Sequence, residues 1–134
     1  MADYKEIFME HLDDNDVSYD DLDDGLIKIE LGGDNAKSID IIGMFEEDNE
    51  DVEFTCFSIG NFQNNYDAGI RVCNEMNKEY KWVKFYVDDD ADIVAKISTT
   101  VDEYNCGDYC TTAVMRLMQI VDAAYPNFMR ALWS

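Results

Sequence analysis

Three consecutive segments of the sequence alternate between apolar and polar residues, and this pattern limits the possible folds more strongly than any other feature. The segments cover residues 26–31, 38–45 and 52–59, and short polar or acidic stretches separate them. Successive side chains of a strand point to opposite sides, so a period of two predicts half-buried strands. Because short turns join antiparallel neighbours, the three segments predict an antiparallel meander. Its inward positions are Ile27, Ile29, Leu31, Ile39, Ile41, Phe45, Val52, Phe54 and Cys56.

Helical periodicity appears before, between and after the strand-like segments. Residues 3–13, 66–80 and 107–125 carry apolar residues at the three- and four-residue spacing of one helix face. In the second helix that face comprises Tyr66, Ile70, Cys73 and Tyr80, with Asn77 on it and Met76 beside it. Two further alternating segments, 82–88 and 93–101, predict a hairpin between the second and third helices.

The predicted element order is α-β-β-β-α-β-β-α, an α+β protein with a five-stranded antiparallel sheet packed with helices. A chain of 134 residues suits one domain, and no linker-like stretch interrupts it, so residues 1–134 are predicted to form a single domain. Pro126 lacks a backbone donor and disfavours helical geometry at Tyr125. The third helix is therefore expected to kink or restart there and to leave an apolar tail that contains Phe128, Met129, Leu132 and Trp133.

The sequence holds more large apolar side chains than one core requires. Phe57, Trp82 and Tyr86 fall on what should be the less buried sheet face, and the third helix is apolar on more than one side. An uncovered apolar surface would contact another polypeptide. The alternative is that a helix covers the second sheet face. The candidate partner-binding residues are Phe57, Trp82, Tyr86, Phe128, Met129 and Trp133.

The 30 acidic and 10 basic residues give a net charge of −20. This charge repels phosphate backbones and anionic lipids, so neither nucleic acid nor a membrane is expected as a partner. Basic proteins, cations and proteins that dock on an apolar patch remain, and mimicry of nucleic acid toward a DNA-binding protein would rest on charge alone. The sequence has no apolar run long enough to span a membrane and no signal peptide, which predicts a cytoplasmic protein.

Cysteine and histidine positions do not indicate a metal site. Thiols stay reduced in the cytosol, so Cys56, Cys73, Cys106 and Cys110 are predicted to be free. Cys106 and Cys110 share a helix face, but a structural zinc ion needs about four nitrogen or sulfur ligands. The other candidates, Cys56, Cys73 and His11, each fall in a different apolar stripe. No metal and no cofactor are therefore expected.

The acidic segment after the fourth predicted strand has the opening spacing of a calcium loop, with Asp88, Asp90 and Asp92. An EF-hand loop would need glycine and glutamate where this chain has Ile93 and Thr99, so a solvated hairpin turn is the preferred interpretation. Nucleotide-binding, serine-hydrolase and zinc-protease motifs do not occur in the sequence. The chain is accordingly predicted to have no catalytic residue and not to be an enzyme.

One stretch of the sequence supports a more specific interpretation. A helix ends near Met76-Asn77, the strand Lys84-Phe85-Tyr86-Val87-Asp88 follows, and an acidic turn leads into an alternating strand. This pattern, sharpest over residues 66–97, resembles the YbjN family, bacterial proteins described as sensory transduction regulators. Ala91 departs slightly from it, since such hairpins often carry glycine at that turn position.

The resemblance implies the same α-β-β-β-α-β-β-α order, a fold similar to that of type III secretion chaperones, dimerisation and binding of another protein. It transfers no active-site residue. We therefore predict a non-enzymatic interaction module, a homodimer that acts as a regulator or chaperone-like adaptor of a bacterial protein. The alternatives are an acidic protein that binds divalent cations weakly through residues 88–92, and a small enzyme of unrecognised type that uses His11 or a cysteine.

Overall fold

A computed structural model describes residues 3–57 and 59–134 of the chain. It contains three α-helices and six β-strands that follow one another in the order expected for the longer elements. The elements are α1 (Tyr4–Asp14), β1 (Asp20–Asp21), β2 (Leu26–Leu31), β3 (Ile39–Met44), β4 (Asp51–Cys56), α2 (Tyr66–Glu79), β5 (Lys84–Val87), β6 (Ile93–Thr100) and α3 (Cys106–Trp133).

All six strands form one antiparallel sheet in the order β1-β2-β3-β4-β6-β5. The α+β class and the antiparallel sheet are thus confirmed, with six strands rather than five. The additional strand, Asp20–Asp21, pairs with Lys28 and Ile27 at one edge of the sheet. Its two acidic residues give no apolar alternation, which is why the sequence pattern does not reveal it. The predicted third strand, 52–59, ends at Cys56, and its residue 58 lies outside the described residues.

The core lies between the three helices and one face of the sheet. Inward-pointing residues of the strands join buried residues of all three helices in one apolar cluster. At one end of the cluster the rings of Phe8, Phe45 and Phe54 have centroids 5.7 to 6.2 Å apart. At the other end the Phe85 and Phe128 rings lie 5.3 Å apart. Offset and edge-on aromatic pairs of this kind add stability beyond their buried area.

The buried face of α2 differs from the predicted one. Tyr66 and Ile70 are exposed, and the buried side chains are Ala68, Gly69, Val72, Cys73 and Met76. Small residues face inward here because the chain packs closely: a Cβ atom on Gly69 would lie 3.0 Å from the Phe62 side chain. The tight contact rotates the helix away from the orientation that its large residues alone would favour.

Helix α3 continues through Pro126 to Trp133 instead of restarting at the proline. Proline removes the N–H that would donate to the carbonyl four residues earlier, in this case that of Asp122. The side-chain amide of Asn35 donates to that carbonyl oxygen at 3.1 Å. A contact from a distant loop thus replaces the missing helical hydrogen bond, and this contact cannot be read from the local sequence.

Candidate functional site

The sheet has one face that no helix of the described residues covers. Inward residues of the strands belong to the core, so the alternate residues point away from the helices. We call the apolar residues on this side the outer sheet face: Ile42, Met44, Phe57 and Tyr86. The side chain of Phe57, which directly follows β4, is 54% exposed, and that of Met44 is 40% exposed. The predicted excess of apolar surface is therefore located, and the alternative of a helix over this face does not apply to the described residues.

Two buried residues lie on the same side of the sheet as the outer sheet face. Val94 pairs with Tyr86 across β6 and β5, and it is 1% exposed although it points away from the main core. Thr55, which lies between Ile42 and Lys96 in the strand register, is likewise buried. The outer side of the sheet therefore holds one buried apolar and one buried polar side chain in addition to its exposed ones.

Two lysines on this side of the sheet pair with carboxylates. Lys96 contacts Glu53 at 3.2 Å, and its ammonium lies 5.4 Å from the centroid of the Tyr86 ring. Burial by itself lowers the pKa of Lys96, but Glu53 and Tyr86 outweigh this effect and raise the pKa. Lys28 contacts Glu30 at 3.2 Å, and this carboxylate raises the pKa of Lys28. The outer sheet face is thus flanked by lysines in a chain that is otherwise strongly acidic.

Trp82 forms a separate surface on the connection between α2 and β5. It is 57% exposed and has φ of +81°, a conformation that is rare for a bulky residue. The strand predicted from residue 82 therefore begins only at Lys84. The Arg116 guanidinium carbon lies 4.3 Å from the indole centroid, and the Lys81 ammonium lies 5.1 Å from it. Trp82 and Arg116 border a cleft of about 300 Å³ between β6 and α3.

The C-terminal candidates divide into core and surface residues. Phe128 is 0% exposed and packs on Phe85, so its assignment as a partner-binding residue is wrong. The assignment assumed an exposed tail after Pro126, whereas the continuous helix turns Phe128 into the core. Met129 is half-buried against that core, and Trp133 is 80% exposed near the end of α3.

The structure thus brings Phe57 and Tyr86 together on the outer sheet face and leaves Trp82 and Trp133 in other places. The sequence interpretation missed Arg116, which stacks on Trp82. A signal was available, because Arg116 is one of only two basic residues in the 28 residues of α3.

Acidic residues cluster around a different cleft, of about 630 Å³, lined by Asp3, Tyr4, Lys5, Asp24, Gly25, Phe45, Glu46, Glu47 and Asp48. Within the described ranges, no group of three or more histidine, cysteine, aspartate or glutamate residues has an arrangement that could hold a metal ion. In the predicted hairpin turn, the Asp88 carboxylate accepts backbone hydrogen bonds from Asp90 at 2.9 Å and from Asp92 at 3.0 Å. Asp88 therefore stabilises the turn, in which Ala91 has φ of +65°.

The four cysteines are free and buried. The Sγ atoms of Cys106 and Cys110 lie 3.9 Å apart, and the Cys106 thiol also donates to the Tyr4 carbonyl at 3.5 Å. A hydrogen bond between the two thiols lowers the pKa of Cys106 and raises that of Cys110. His11 packs on the same helix end, where a Cβ atom on Gly107 would lie 2.6 Å from its Nδ1. Cys106 and Cys110 lie in the core, and His11, which is 4.0 Å from the Asp108 carboxylate, connects α1 to α3 at its margin.

Residues 5–125 match the family model YbjN, described as "Putative bacterial sensory transduction regulator". A crystal structure of Escherichia coli YbjN, described as "a putative transcription regulator", is similar in fold with a TM-score of 0.63 and 13% sequence identity, and the match covers 91% of each chain. No curated protein is significantly similar to the sequence. Among the described residues, none of the helices is long and apolar enough to cross a membrane. Since the family model covers most of its length, the chain belongs to the YbjN family.

Proposed function

We propose that this protein is a non-enzymatic interaction module with a regulatory role, and that it works as a homodimer joined through the outer sheet face. The observation that carries the proposal is the apolar surface of Ile42, Met44, Phe57 and Tyr86, which the helices of the described residues leave uncovered. The description of the family as regulators agrees with a protein that acts by binding. The four free cysteines agree with a reducing compartment such as the cytoplasm.

The local charge pattern of the outer sheet face is compatible with a second copy of the chain as its occupant, although the overall charge is not. With a net charge of −20 on each copy, two molecules repel each other at long range. Lys28 and Lys96 lie on the outer side of the sheet beside Glu30 and Glu53, so a two-fold related copy can place unlike charges opposite each other. We therefore expect the association to strengthen as salt screens the long-range repulsion.

Light scattering coupled to size exclusion tests the proposal. The unmodified chain should have twice the mass of one copy, and Phe57→Asp should be monomeric, because the new carboxylate would be buried without a partner. Tyr104→Asp is the matched control, since Tyr104 is 89% exposed in the loop between β6 and α3. A monomeric unmodified chain, or a Phe57→Asp variant that remains dimeric, would refute this function.

A further inference from the structure

The cleft beside Trp82 lies where the pairing between β5 and β6 ends. Strand β5 pairs with β6 only from Lys84–Lys96 to Val87–Ile93. Beyond Lys96, strand β6 continues to Thr100 and remains paired with β4 on its other side. Along residues 97–100 the backbone groups that point away from β4 have no strand partner among the described residues, so they form an open sheet edge that is available to an added strand.

The connection between α2 and β5 runs next to this edge and does not pair with it. Asn77 donates from its amide to the Phe85 carbonyl at 2.9 Å and accepts from the Phe85 N–H at 2.8 Å. These two bonds fix the start of β5, and the positive φ of Trp82 directs the preceding residue away from the line of the strand. The result is a cleft of about 300 Å³ with Ile97 and Ala113 as its buried apolar floor.

The charge of this cleft is opposite to that of the molecule. None of the described residues that line it is acidic, although the chain contains 30 aspartate and glutamate residues. Arg116 forms no ion pair with any described carboxylate, and its guanidinium is stacked on the Trp82 indole. Stacking leaves the in-plane N–H groups of a guanidinium free to bind a carboxylate through two hydrogen bonds. Hydroxyl groups of Ser98, Thr99, Tyr109 and Thr112 also line the cleft.

We infer that this cleft binds the C-terminal end of an extended partner peptide. The peptide backbone would pair with the open edge of β6, its last apolar side chain would contact Trp82, and its terminal carboxylate would bind Arg116. A single carboxylate fits better than an acidic segment. The net charge of −20 repels a polyanion strongly, whereas a single carboxylate loses little binding energy to this repulsion. The inference rests on the proposed function only for the class of partner, and it does not depend on the dimer.

Fluorescence tests the inference in the Trp133→Phe background, which leaves Trp82 as the single tryptophan of the chain. The probe is an acetylated peptide of alternating threonine and valine with a free C-terminal carboxylate. Its titration should change Trp82 emission to saturation. The same peptide with a C-terminal amide should bind roughly tenfold or more weakly, which is the expected loss for a charge-assisted hydrogen-bonded pair.

Variants test the contact between the carboxylate and Arg116, and hydrogen exchange tests the pairing of the peptide with β6. Arg116→Gln should weaken the peptide as much as amidation does, and amidation should have no further effect in that variant. Arg130→Gln, on the same helix, should leave binding unchanged. Amide hydrogen exchange of residues 97–100 should slow when the peptide binds. Propionate tests whether a small free carboxylate is sufficient for binding. If propionate binds as tightly as the peptide, the assignment of the cleft to a peptide is overturned.

Equal affinity for amide and carboxylate peptides, or no binding at all, would also overturn the inference. Light scattering on the same samples reports the dimer separately. Failure of the peptide to bind a dimeric chain would therefore refute this inference alone and leave the proposed function standing.

Discussion

Asn35 donates its side-chain amide to the main-chain carbonyl of Asp122 at 3.1 Å, across 87 residues of sequence. This carbonyl is the one from which Pro126 removes the usual helical donor. The carboxylate of Asp122 accepts backbone hydrogen bonds from the same loop, at 2.8 Å from Asn35 and from Ala36. The turn between β2 and β3 and the second half of α3 are thus joined by both the side chain and the main chain of one aspartate.

Replacement of Asn35 by alanine should destabilise this junction. The variant leaves the Asp122 carbonyl without its donor in a helix that cannot supply another, and we expect the free energy of unfolding to fall by about 1 kcal/mol. Urea unfolding followed by circular dichroism measures the change. Asn64→Ala, in the loop before α2, is the matched control and should be nearly neutral. Equal stability of Asn35→Ala and the unmodified chain would show that the helix tolerates Pro126 without this contact.

The carboxylate of Asp122 should make part of the stability depend on pH. Backbone hydrogen bonds, first that of Ala36 and then those of Asn35 and Asp34, lower the pKa of Asp122 below its ordinary value. A lowered folded-state pKa adds stability that is fully present above the unfolded pKa, about 3.9, and is lost as pH falls through the folded value. Asp122→Asn should therefore be less stable than the unmodified chain at about pH 7, and the difference should shrink toward about pH 3.

Asp89→Asn provides the control for this pH dependence, because Asp89 is exposed in the hairpin turn between β5 and β6. Its stability relative to the unmodified chain should not follow the same pH course. A stability gap for Asp122→Asn that stays constant as the acid is protonated would contradict the assigned hydrogen bonds.

The strands could be predicted because each one is covered on a single face. The alternation over residues 26–31 matches β2 at both ends, and the predictions for β3 and β6 differ from the structure by one residue at each end or fewer. Burial on one side leaves a period-two signal in the sequence, and short turns limit the pairing. The edge strand Asp20–Asp21 lacks that signal because both of its residues are exposed.

What could not be predicted depends on contacts between distant parts of the chain. The Asn35 contact supports the path of α3 beyond Pro126, and Phe128 is buried on that path. Local rules correctly identify the proline as unfavourable in a helix, but they contain no information about a loop that compensates for it. The cleft at Trp82 is similar, since Arg116 reaches the indole from another element. The outer sheet face, by contrast, could be predicted because it follows from strand alternation alone.

The side chain of Asn77 should be needed for the stability of the edge strand β5. Its amide satisfies both backbone groups of Phe85, a residue that is 2% exposed. Asn77→Ala should lower the free energy of unfolding by about 1 to 3 kcal/mol, since it removes two partly buried hydrogen bonds. Asn74→Ala, on the exposed side of the same helix, is the matched control. Thermal unfolding of the two variants measures the difference, and equal midpoints would contradict the role given to Asn77.

The cysteines should react slowly in the folded chain. Burial is the main cause that raises the pKa of Cys56 to about 12, and burial raises that of Cys73 to about 11. Cys106 and Cys110 are also buried. Since the thiolate is the reactive form, iodoacetamide should label the folded protein at least about a hundredfold more slowly than the protein in urea. Mass spectrometry counts the labelled sites. Rapid labelling of one thiol in the folded chain would instead support the alternative of a cysteine-based activity.

The two aromatic residues near the end of α3 should behave in opposite ways. Phe128→Ala removes a ring that is 0% exposed and packs on Phe85, so the free energy of unfolding should fall by about 3 to 5 kcal/mol. Trp133→Ala changes a side chain that is 80% exposed and should alter stability by less than about 0.5 kcal/mol. Urea unfolding of both variants measures these two changes in the free energy of unfolding. A stable Phe128→Ala variant would mean that α3 does not turn this ring into the core, and the continuous helix through Pro126 would then be wrong.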